Sequence, residues 1–461
     1  MRIEHDLIGE MEIPDKNYYG IQTMRALNNF NISGIPFSHY PVFIKAIAQV
    51  KRASAQANLE LKWLDEGKAK AIIEACDEII SDKLIDQFPV DVIQGGAGTS
   101  INMNANEVIA NRALELMGRK KGDYSFIHPN NHINLSQSTN DVFPTAIRIA
   151  IIEYGHNLKK EMIAFRDSLL RKSEEFEDVI KMGRTQLQDA VPMTLGQEFH
   201  AWAVTIDEDI HRLEEANKLM HEINLGGTAI GTCLNTPKGF SRRVTQIISK
   251  NTGLKLECAS DLIEATQDCG CYVQYSGVLK RIAVKLSKMS NDLRLLSSGP
   301  RAGLNEINLP PKQPGSSIMP GKVNPVIPEV MNQVAFSVIG NDVTITMAAE
   351  AGQLELNAME PIIAFKMFSS IKHMKNAINT LRINCIDGIT ANKERCRSLV
   401  TNSIGIITVL NPVLGYENCS KIACRALKTG ESIKDIVLDL KLLSKKKLDT
   451  LLVLENMTNH K

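Results

Sequence analysis

The chain has 461 residues, of which 44% are hydrophobic and 23% are charged, an ordinary composition for a globular protein of about three domains. Its formal net charge of +1 argues against a nucleic-acid partner, which usually requires a strongly basic face. The sequence has no long apolar run, so it predicts no membrane-spanning helix.

The nine cysteines show no pattern that predicts disulfides or a zinc site. Their number is odd, and residues 1–6, Met-Arg-Ile-Glu-His-Asp, do not form an apolar signal segment. Cys269 and Cys271 form a single C-x-C without a partner pair, whereas zinc motifs combine two pairs of ligands. We therefore expect free thiols in a reducing cytoplasm.

In chain order, residues 1–140 predict a mixed, mainly helical N-terminal domain. Helices are expected near residues 40–60 and 66–80, before loops rich in glycine and asparagine. The run 94–100, Gln-Gly-Gly-Ala-Gly-Thr-Ser, belongs to these loops. It lacks the Lys-Ser/Thr ending of a phosphate loop and the G-x-G-x-x-G spacing of a dinucleotide site, so nucleotide binding is not favoured.

Residues 141–394 are expected to form a central domain of long helices, because apolar residues recur there at steps of three and four. One stripe follows Pro144 towards Val179, and another starts at Pro328. The two clearest stripes are Phe199, Trp202, Ile206, Ile210, Leu213, Ala216, Met220 and Ile223, and Tyr275, Val278, Ile282, Leu286, Met289, Leu293 and Leu296. Helices this long need packing partners, and several have a second apolar face, which indicates a bundle formed between subunits.

Residues 395–461 show shorter helical patterns separated by turns, and we interpret them as a small C-terminal helical domain. The cluster Ser-Lys-Lys-Lys at 444–447 is interpreted as a solvated helix end. Neither feature predicts a binding function.

The segment 132–141 is rich in small polar residues and lies just before Pro144, where we expect a long helix to begin. Ser138, Thr139 and Asn140 would then lie at its N-terminus. Free backbone N–H groups and the helix dipole favour an anion at that position. The same residue types are also common helix N-caps, so a purely structural role is the alternative.

A second polar segment, 183–189, also precedes a proline, Pro192, and a predicted long helix. It contains Thr185 and Gln186, and helix capping is again an open alternative. Together the segments supply hydroxyls, amides and few carboxylates at helix ends. Such a set of donors suits a small dicarboxylate.

Residues 315–325 read Gly-Ser-Ser-Ile-Met-Pro-Gly-Lys-Val-Asn-Pro. Their prolines and glycines exclude a helix interior or a central strand, so the segment is predicted to be a loop. It carries the hydroxyls of Ser316 and Ser317, the ammonium of Lys322 and the carboxamide of Asn324. This combination is typical of an active-site lid, whereas an ordinary surface turn is the alternative.

The full string 315–325, with the segments 94–107, 132–141 and 183–189 in the same order, resembles the fumarase/aspartase superfamily of lyases. The resemblance spans essentially the whole chain. It implies an all-α, three-domain fold and a homotetramer with a central bundle of twenty long helices, five per subunit. It also implies active sites that are each shared between three subunits, and one further long helix between residues 340 and 375.

Three segments resemble the aspartate ammonia-lyase branch of this superfamily: residues 326–333, residues 348–357 and the pair Thr185-Gln186, where fumarases have Thr-His. This resemblance implies reversible deamination of L-aspartate to fumarate and ammonia. Gln186 cannot titrate, which disfavours the water chemistry of a fumarase. Fumarase activity and a non-catalytic relative, like the lens crystallins of this fold, are the alternatives.

The resemblance also assigns roles to individual residues. Ser316 would be the general base that removes the Cβ proton, leading to an aci-carboxylate intermediate. No cofactor would be required, although Mg²⁺ activates some relatives. The residues expected to bind the substrate or stabilise its developing charge are Thr99, Ser138, Thr139, Asn140, Thr185, Ser317, Lys322 and Asn324.

Overall fold

The computed structural model describes residues 1–453. This part of the chain is mainly helical, as the resemblance implies, and its eight strands form four two-stranded sheets. The helices are α1 (Ile21–Asn29), α2 (Pro41–Glu60), α3 (Glu66–Ile80), α4 (Thr99–Leu116), α5 (Thr139–Glu175), α6 (Leu195–Lys218), α7 (Phe240–Thr252), α8 (Glu264–Gln267), α9 (Gly270–Leu296), α10 (Val326–Glu350), α11 (Glu360–Asn384), α12 (Lys393–Thr401), α13 (Asn411–Leu414), α14 (Tyr416–Thr429), α15 (Ile433–Asp439) and α16 (Lys445–Leu451). The strands are β1 (Arg2–Asp6), β2 (Gly9–Ile13), β3 (Ile180–Thr185), β4 (Gln188–Thr194), β5 (Glu222–Ile223), β6 (Glu257–Cys258), β7 (Ile307–Asn308) and β8 (Thr390–Ala391).

The chain divides into two compact units. The first contains Met1–Lys159, His211–Ala283 and Phe336–Met374, and the second contains Lys160–Ile210, Val284–Ala335 and the chain from Lys375 onwards. The three domains expected from the sequence stay a prediction.

Helices α2 and α3 of the first unit have the predicted positions. Pro41 begins α2, where its missing N–H costs no hydrogen bond. Asp65 caps α3 by accepting a hydrogen bond from the backbone N–H of Lys68, at 3.1 Å. Buried aromatic rings in contact form part of the core of this unit: Phe37, Phe43, Phe143 and Phe368.

The expected start of α5 was wrong, because the helix begins at Thr139 and contains Pro144. Proline cannot donate the hydrogen bond that residue 144 would normally give to the carbonyl of Asn140. The side-chain amide of Asn224 donates a hydrogen bond to that carbonyl instead, at 3.0 Å. The proline is therefore tolerated six residues into the helix.

The apolar stripes in α6 and α9 are buried as predicted, apart from the half-buried Val278. Helix α6 ends at Lys218, so the buried Met220 and Ile223 lie beyond its end. Helix α10 starts at Val326, with Pro328 in its first turn. The further long helix expected between residues 340 and 375 is α11, which starts later and ends at Asn384.

Helix capping, which was one alternative for residues 183–189, is not observed: these residues lie in an antiparallel hairpin of β3 and β4. Thr185 pairs with Gln188, so Gln186 and Leu187 form a two-residue turn. Both turn residues have positive φ, of 55° and 62°. Such a turn matches the twist of paired strands, but glycine or asparagine usually marks it, and neither is present here.

The short helices expected after residue 395 are present in the second unit. An apolar cluster of this region includes Val400, Ile406, Leu410, Ile422, Ile436 and Leu448. In the described part of the chain, no helix combines the length and apolar character needed to cross a membrane.

Candidate active site

Ser138, Thr139 and Asn140 lie at the start of α5 in the first unit. The backbone N–H of Ser138 donates to Oδ1 of Asp141 at 2.9 Å, and Ser138 Oγ accepts from the N–H of Asn140 at 3.2 Å. The buried Thr139 accepts a hydrogen bond at Oγ1 from the amide of Asn102, at 3.0 Å. The capping interpretation is therefore correct for Ser138, while its position beside the helix N-terminus still suits an anion.

The residues after β5 contact this segment through Asp141 and Asn140. Oδ2 of Asp141 accepts the backbone N–H groups of Gly226 and Thr228, at 3.0 and 2.9 Å. The side-chain amide of Asn140 donates to the carbonyl of Ala229 at 2.7 Å. Sequence reasoning missed this partner, although the glycine-rich run 226–233 is a visible signal for a loop that approaches other backbone closely.

A buried polar cluster lies next to these residues. Lys51 is fully buried, and its Nζ donates to Oδ1 of Asn134 at 2.8 Å. Burial lowers the pKa of Lys51 to about 7, although the charge of Asp141 opposes this. Burial raises the pKa of Asp141 to about 6, against the N–H groups that it accepts. The cluster thus contains one cationic and one anionic group whose charges support each other.

Thr99 is exposed and begins α4 in the first unit. The preceding residue, Gly98, has a φ of 91°, and a Cβ there would lie 2.6 Å from the ring of Phe143. Only glycine fits this close approach, so the loop reaches Thr99 by a backbone path that other residues cannot adopt.

Thr185 and Gln186 are exposed at the end of the β3–β4 hairpin in the second unit. Ion pairs support the strand beneath them. The fully buried carboxylate of Glu306 lies 2.6 Å from Nη1 of Arg184 and 3.2 Å from Nζ of Lys181. Lys181 also pairs with Glu198. These charges hold the base of the hairpin, while its turn remains accessible.

The loop 315–324 is closed by bonds within itself. The N–H of Gly315 donates to the carbonyl of Lys322, and the side chain of Asn324 donates to the carbonyl of Gly315, both at 2.7 Å. A Cβ on Gly315 would lie 2.7 Å from the Lys322 carbonyl oxygen, so glycine is required here. Ser317 and Lys322 are exposed, and Asn324 is half-buried.

Ser316 accepts two hydrogen bonds at Oγ, from the backbone N–H groups of Ile318 and Met319, at 3.2 and 3.0 Å. Two N–H donors on one hydroxyl oxygen favour its deprotonated form. The expectation that loop amides stabilise a Ser316 alkoxide is consistent with this geometry.

A cavity of about 570 Å³ adjoins the loop within the second unit, next to Lys322 and Asn324. Its lining includes two further cationic side chains, Arg294 and Lys312. Cations and amides around one cavity suit an anion. Within residues 1–453, no group of three or more His, Cys, Asp or Glu side chains has the arrangement of a metal site.

The described structure places Thr99 and residues 138–140 in the first unit, and Thr185 and residues 315–324 in the second. Hydrogen bonds join the members of 138–140 to one another and to the chain after β5. Others join the members of 315–324 among themselves.

Comparisons with curated relatives cover nearly the entire chain. A family model described as "Lyase" matches residues 9–340, and one described as "Fumarase C C-terminus" matches residues 406–459. Curated relatives are named aspartate ammonia-lyase. The protein from Helicobacter pylori strain 26695 is 59% identical over 99% of this chain and 98% of its own length. That from Escherichia coli K12 is 54% identical over 99% and 96%.

Solved structures are similar over the same length. The crystal structure of fumarate lyase:delta crystallin from Brucella melitensis bound to cobalt has a TM-score of 0.97 at 52% identity, with full coverage of both chains. The crystal structure of recombinant class II fumarase from Schistosoma mansoni has a TM-score of 0.95 at 33% identity, covering 99% of each chain.

Proposed function

This chain belongs to the fumarase/aspartase superfamily of lyases, and we propose that it catalyses the reversible deamination of L-aspartate to fumarate and ammonia. The observation that carries the proposal is its full-length similarity to relatives named aspartate ammonia-lyase. Gln186 at the exposed hairpin turn agrees with it, because a carboxamide cannot act as a base towards water.

The difficult step is removal of a proton from Cβ of aspartate, next to a carboxylate that is already negative. Ser316 Oγ takes this proton, and the electron pair moves into the carboxylate to give an aci-carboxylate dianion. The pair then forms the C–C double bond as the Cα–N bond breaks and ammonia leaves. Proton release from Ser316 completes the cycle.

Ser316 needs help to act as a base, since a free hydroxyl is a very weak acid. The N–H groups of Ile318 and Met319 supply two hydrogen bonds to its oxygen. Closure of the loop over the substrate would remove water and strengthen these interactions. This geometry supports the choice of Ser316 as base.

The remaining predicted residues bind the substrate or stabilise its charge. Lys322 supplies a full positive charge, and Asn324 has one amide N–H left after bonding Gly315. Neutral donors that strengthen as charge develops favour the transition state over the substrate. The donors with this role are Thr99, Ser138, Thr139, Asn140 and Thr185, while Ser317 binds the substrate carboxylates together with Lys322 and Asn324.

The chain acts as a homotetramer in which each active site is shared between three subunits. The apolar outer face of α10 supports this assembly. Phe336, Val343 and Met347 are 63%, 55% and 67% exposed in the single chain, at spacings that place them on one side of the helix. A contiguous exposed apolar face of this kind is typical of a protein interface.

The reaction involves neither redox nor electron-sink chemistry, so we propose that no cofactor is required. We also propose that the protein acts in the cytoplasm, because the sequence predicts free thiols. Activation by Mg²⁺, as in some relatives, stays a prediction. It is tested by comparing turnover after chelation with turnover after Mg²⁺ is added back.

The test of the function is the ultraviolet absorbance of fumarate formed by the purified protein. We expect fumarate to form from L-aspartate and not from L-malate. Formation from malate alone would support the fumarase alternative, the activity named for the Schistosoma mansoni relative. Formation from neither would support a non-catalytic relative.

A further inference from the structure

Four hydrogen bonds join the start of α5 to the chain after β5. Two run from the N–H groups of Gly226 and Thr228 to Oδ2 of Asp141. One runs from the side chain of Asn140 to the Ala229 carbonyl, and one from Asn224 to the Asn140 carbonyl that Pro144 leaves free. The two segments are therefore fixed to each other at several points.

Asp141 has a part in this arrangement that asparagine cannot fill. Its Oδ1 accepts the N–H of Ser138, and its Oδ2 accepts those of Gly226 and Thr228. An ionised carboxylate accepts hydrogen bonds at both oxygens, whereas a carboxamide presents N–H donors on one side. Asparagine at position 141 would oppose at least one backbone N–H with another donor.

Thr228 gives a second, independent observation. It is a β-branched residue with a φ of 60°, a backbone conformation that persists only where the surroundings impose it. Its Oγ1 is buried and has no hydrogen-bond partner within residues 1–453. A buried hydroxyl left without a partner is costly unless a ligand or an ordered water uses it.

We infer that Asp141 is a positioning residue: it holds residues 138–140 and 226–229 together as one dicarboxylate-binding surface, to which Thr228 contributes a hydroxyl donor. Asp141 does not touch the substrate. It fixes the Ser138 and Thr228 backbones from behind, so that their hydroxyls need no reorganisation when the anion binds. This inference rests on the proposed function, because it assigns the pocket to the dicarboxylate substrate.

The experiment compares Asp141→Asn and Thr228→Val with the wild-type full-length protein. Steady-state kinetics with L-aspartate give KM and kcat, and titration calorimetry with succinate gives binding without turnover. We expect Asp141→Asn to raise KM and the succinate Kd about tenfold or more, with kcat much less affected. Thr228→Val, which keeps the side-chain shape, should raise both by a smaller factor.

Asp91→Asn is the matched control. Asp91 is also a buried carboxylate that accepts backbone N–H groups from a loop, those of Ser33, Gly34 and Ile93. Its replacement should lower the unfolding temperature without changing KM. An equal rise of KM in this control, or an unchanged KM and succinate Kd in Asp141→Asn, would overturn the inference.

If Asp141→Asn does not fold, Thr228→Val decides: an unchanged KM and succinate Kd overturn the inference, and a rise in both supports it. The two proposals fail in different ways. A wild-type protein that binds succinate but forms no fumarate contradicts the proposed reaction, while weaker succinate binding by Asp141→Asn would still support the positioning role. If the wild-type protein deaminates aspartate and Asp141→Asn does so with the same KM, only the inference is contradicted.

Discussion

The segment 138–141 and the loop 315–324 both carry predicted substrate-binding residues, but they are held by opposite means. Asp141 is fully buried and receives N–H groups from residues 85 and 87 positions further along the chain. The bonds of Ser316 and Asn324 join residues inside their own loop, whose Ser317 and Lys322 are exposed. The segment 138–141 is thus fixed by buried contacts within its unit, whereas the loop 315–324 has exposed side chains and is held by its own hydrogen bonds.

The difference shows how binding and chemistry can be divided within one protein. Buried, cross-linked donors are preorganised, so they bind an anion without a cost of ordering at that moment. A self-contained surface loop can move as a body, because few bonds to the rest of its unit must break. We therefore expect loss of the base on the loop to affect turnover most, whereas loss of the loop's substrate contacts and changes around Asp141 should affect mainly binding.

The largest expected effect is that of Ser316→Ala. Loss of the general base should lower kcat by about 10²- to 10⁴-fold, because no other group in the loop has its two N–H donors. Stability and subunit assembly should not change, since Ser316 lies on the exposed loop. Stopped assays of fumarate formation measure kcat, and gel filtration measures subunit assembly.

Ser317→Ala is the matched control, because it removes the neighbouring hydroxyl from the same loop. It should mainly raise KM. If Ser316→Ala retained near-normal turnover, or if Ser317→Ala lost as much, the base would not be Ser316.

Lys322→Met should have the next largest effect, on binding. Removing a charge-assisted hydrogen bond to a carboxylate is expected to raise KM by about 10- to 100-fold, with a smaller change in kcat. Initial rates over a range of L-aspartate concentrations measure this. An unchanged KM would exclude a carboxylate contact at Lys322.

Gly315→Ala tests whether the loop depends on its own closure. The new Cβ would meet the Lys322 carbonyl oxygen at 2.7 Å and the Asn324 backbone nitrogen at 2.8 Å, so backbone must shift. We expect kcat to fall by about tenfold from the misplacement of the base. Gly321→Ala is the control, because it has a φ of 79° but no atom within 4 Å of its Cβ. If kcat fell equally in both variants, backbone strain would explain the loss, and the closure of the loop by its own hydrogen bonds would not.

The smallest expected effect is on pH dependence. Burial raises the pKa of Asp141 to about 6, so its carboxylate gains a proton as the pH falls through that value. The protonated group then opposes one N–H donor, and kcat/KM should fall on the acid side. Lys51, whose pKa is lowered to about 7, and Cys233 are titratable groups that interact with it. The step near pH 6 should be absent in Asp141→Asn, and its persistence there would assign it to another group.

The contribution of Asp141 to folding stability changes with pH in the opposite direction to kcat/KM. A folded-state pKa above the ordinary value means that Asp141 contributes most to stability at low pH and loses this contribution as the pH rises through about 6. Asp141 thus positions the binding surface best in its ionised form, which is the form that burial disfavours. This opposition is common where a buried charge serves a functional site.

Much of the fold was predictable from local patterns. Helices α2 and α3 were expected near residues 40–60 and 66–80 and are observed at Pro41–Glu60 and Glu66–Ile80. The family prediction is confirmed, and the relatives' names agree with the predicted activity. The roles of Ser316, Lys322 and the other site residues stay predictions.

Other features were not predictable from local patterns. The turn at Gln186 and Leu187 has positive φ without the glycine or asparagine that signals it, so the sequence did not predict the hairpin and left helix capping as an alternative. Helix α5 can start before Pro144 because the side-chain amide of Asn224, far along the chain, donates a hydrogen bond to the Asn140 carbonyl that the proline leaves free. Hydrophobic periodicity in the sequence predicts neither feature.

The sequence by itself determined several of the helices, their buried faces and the polar segments, because amphipathic periodicity and breaker residues are local properties. Only the tertiary structure decided what those polar segments contact. It gave Asp141 the two distant N–H donors of Gly226 and Thr228 and brought Thr228 beside the start of α5, since hydrogen bonds between distant residues depend on how the helices pack.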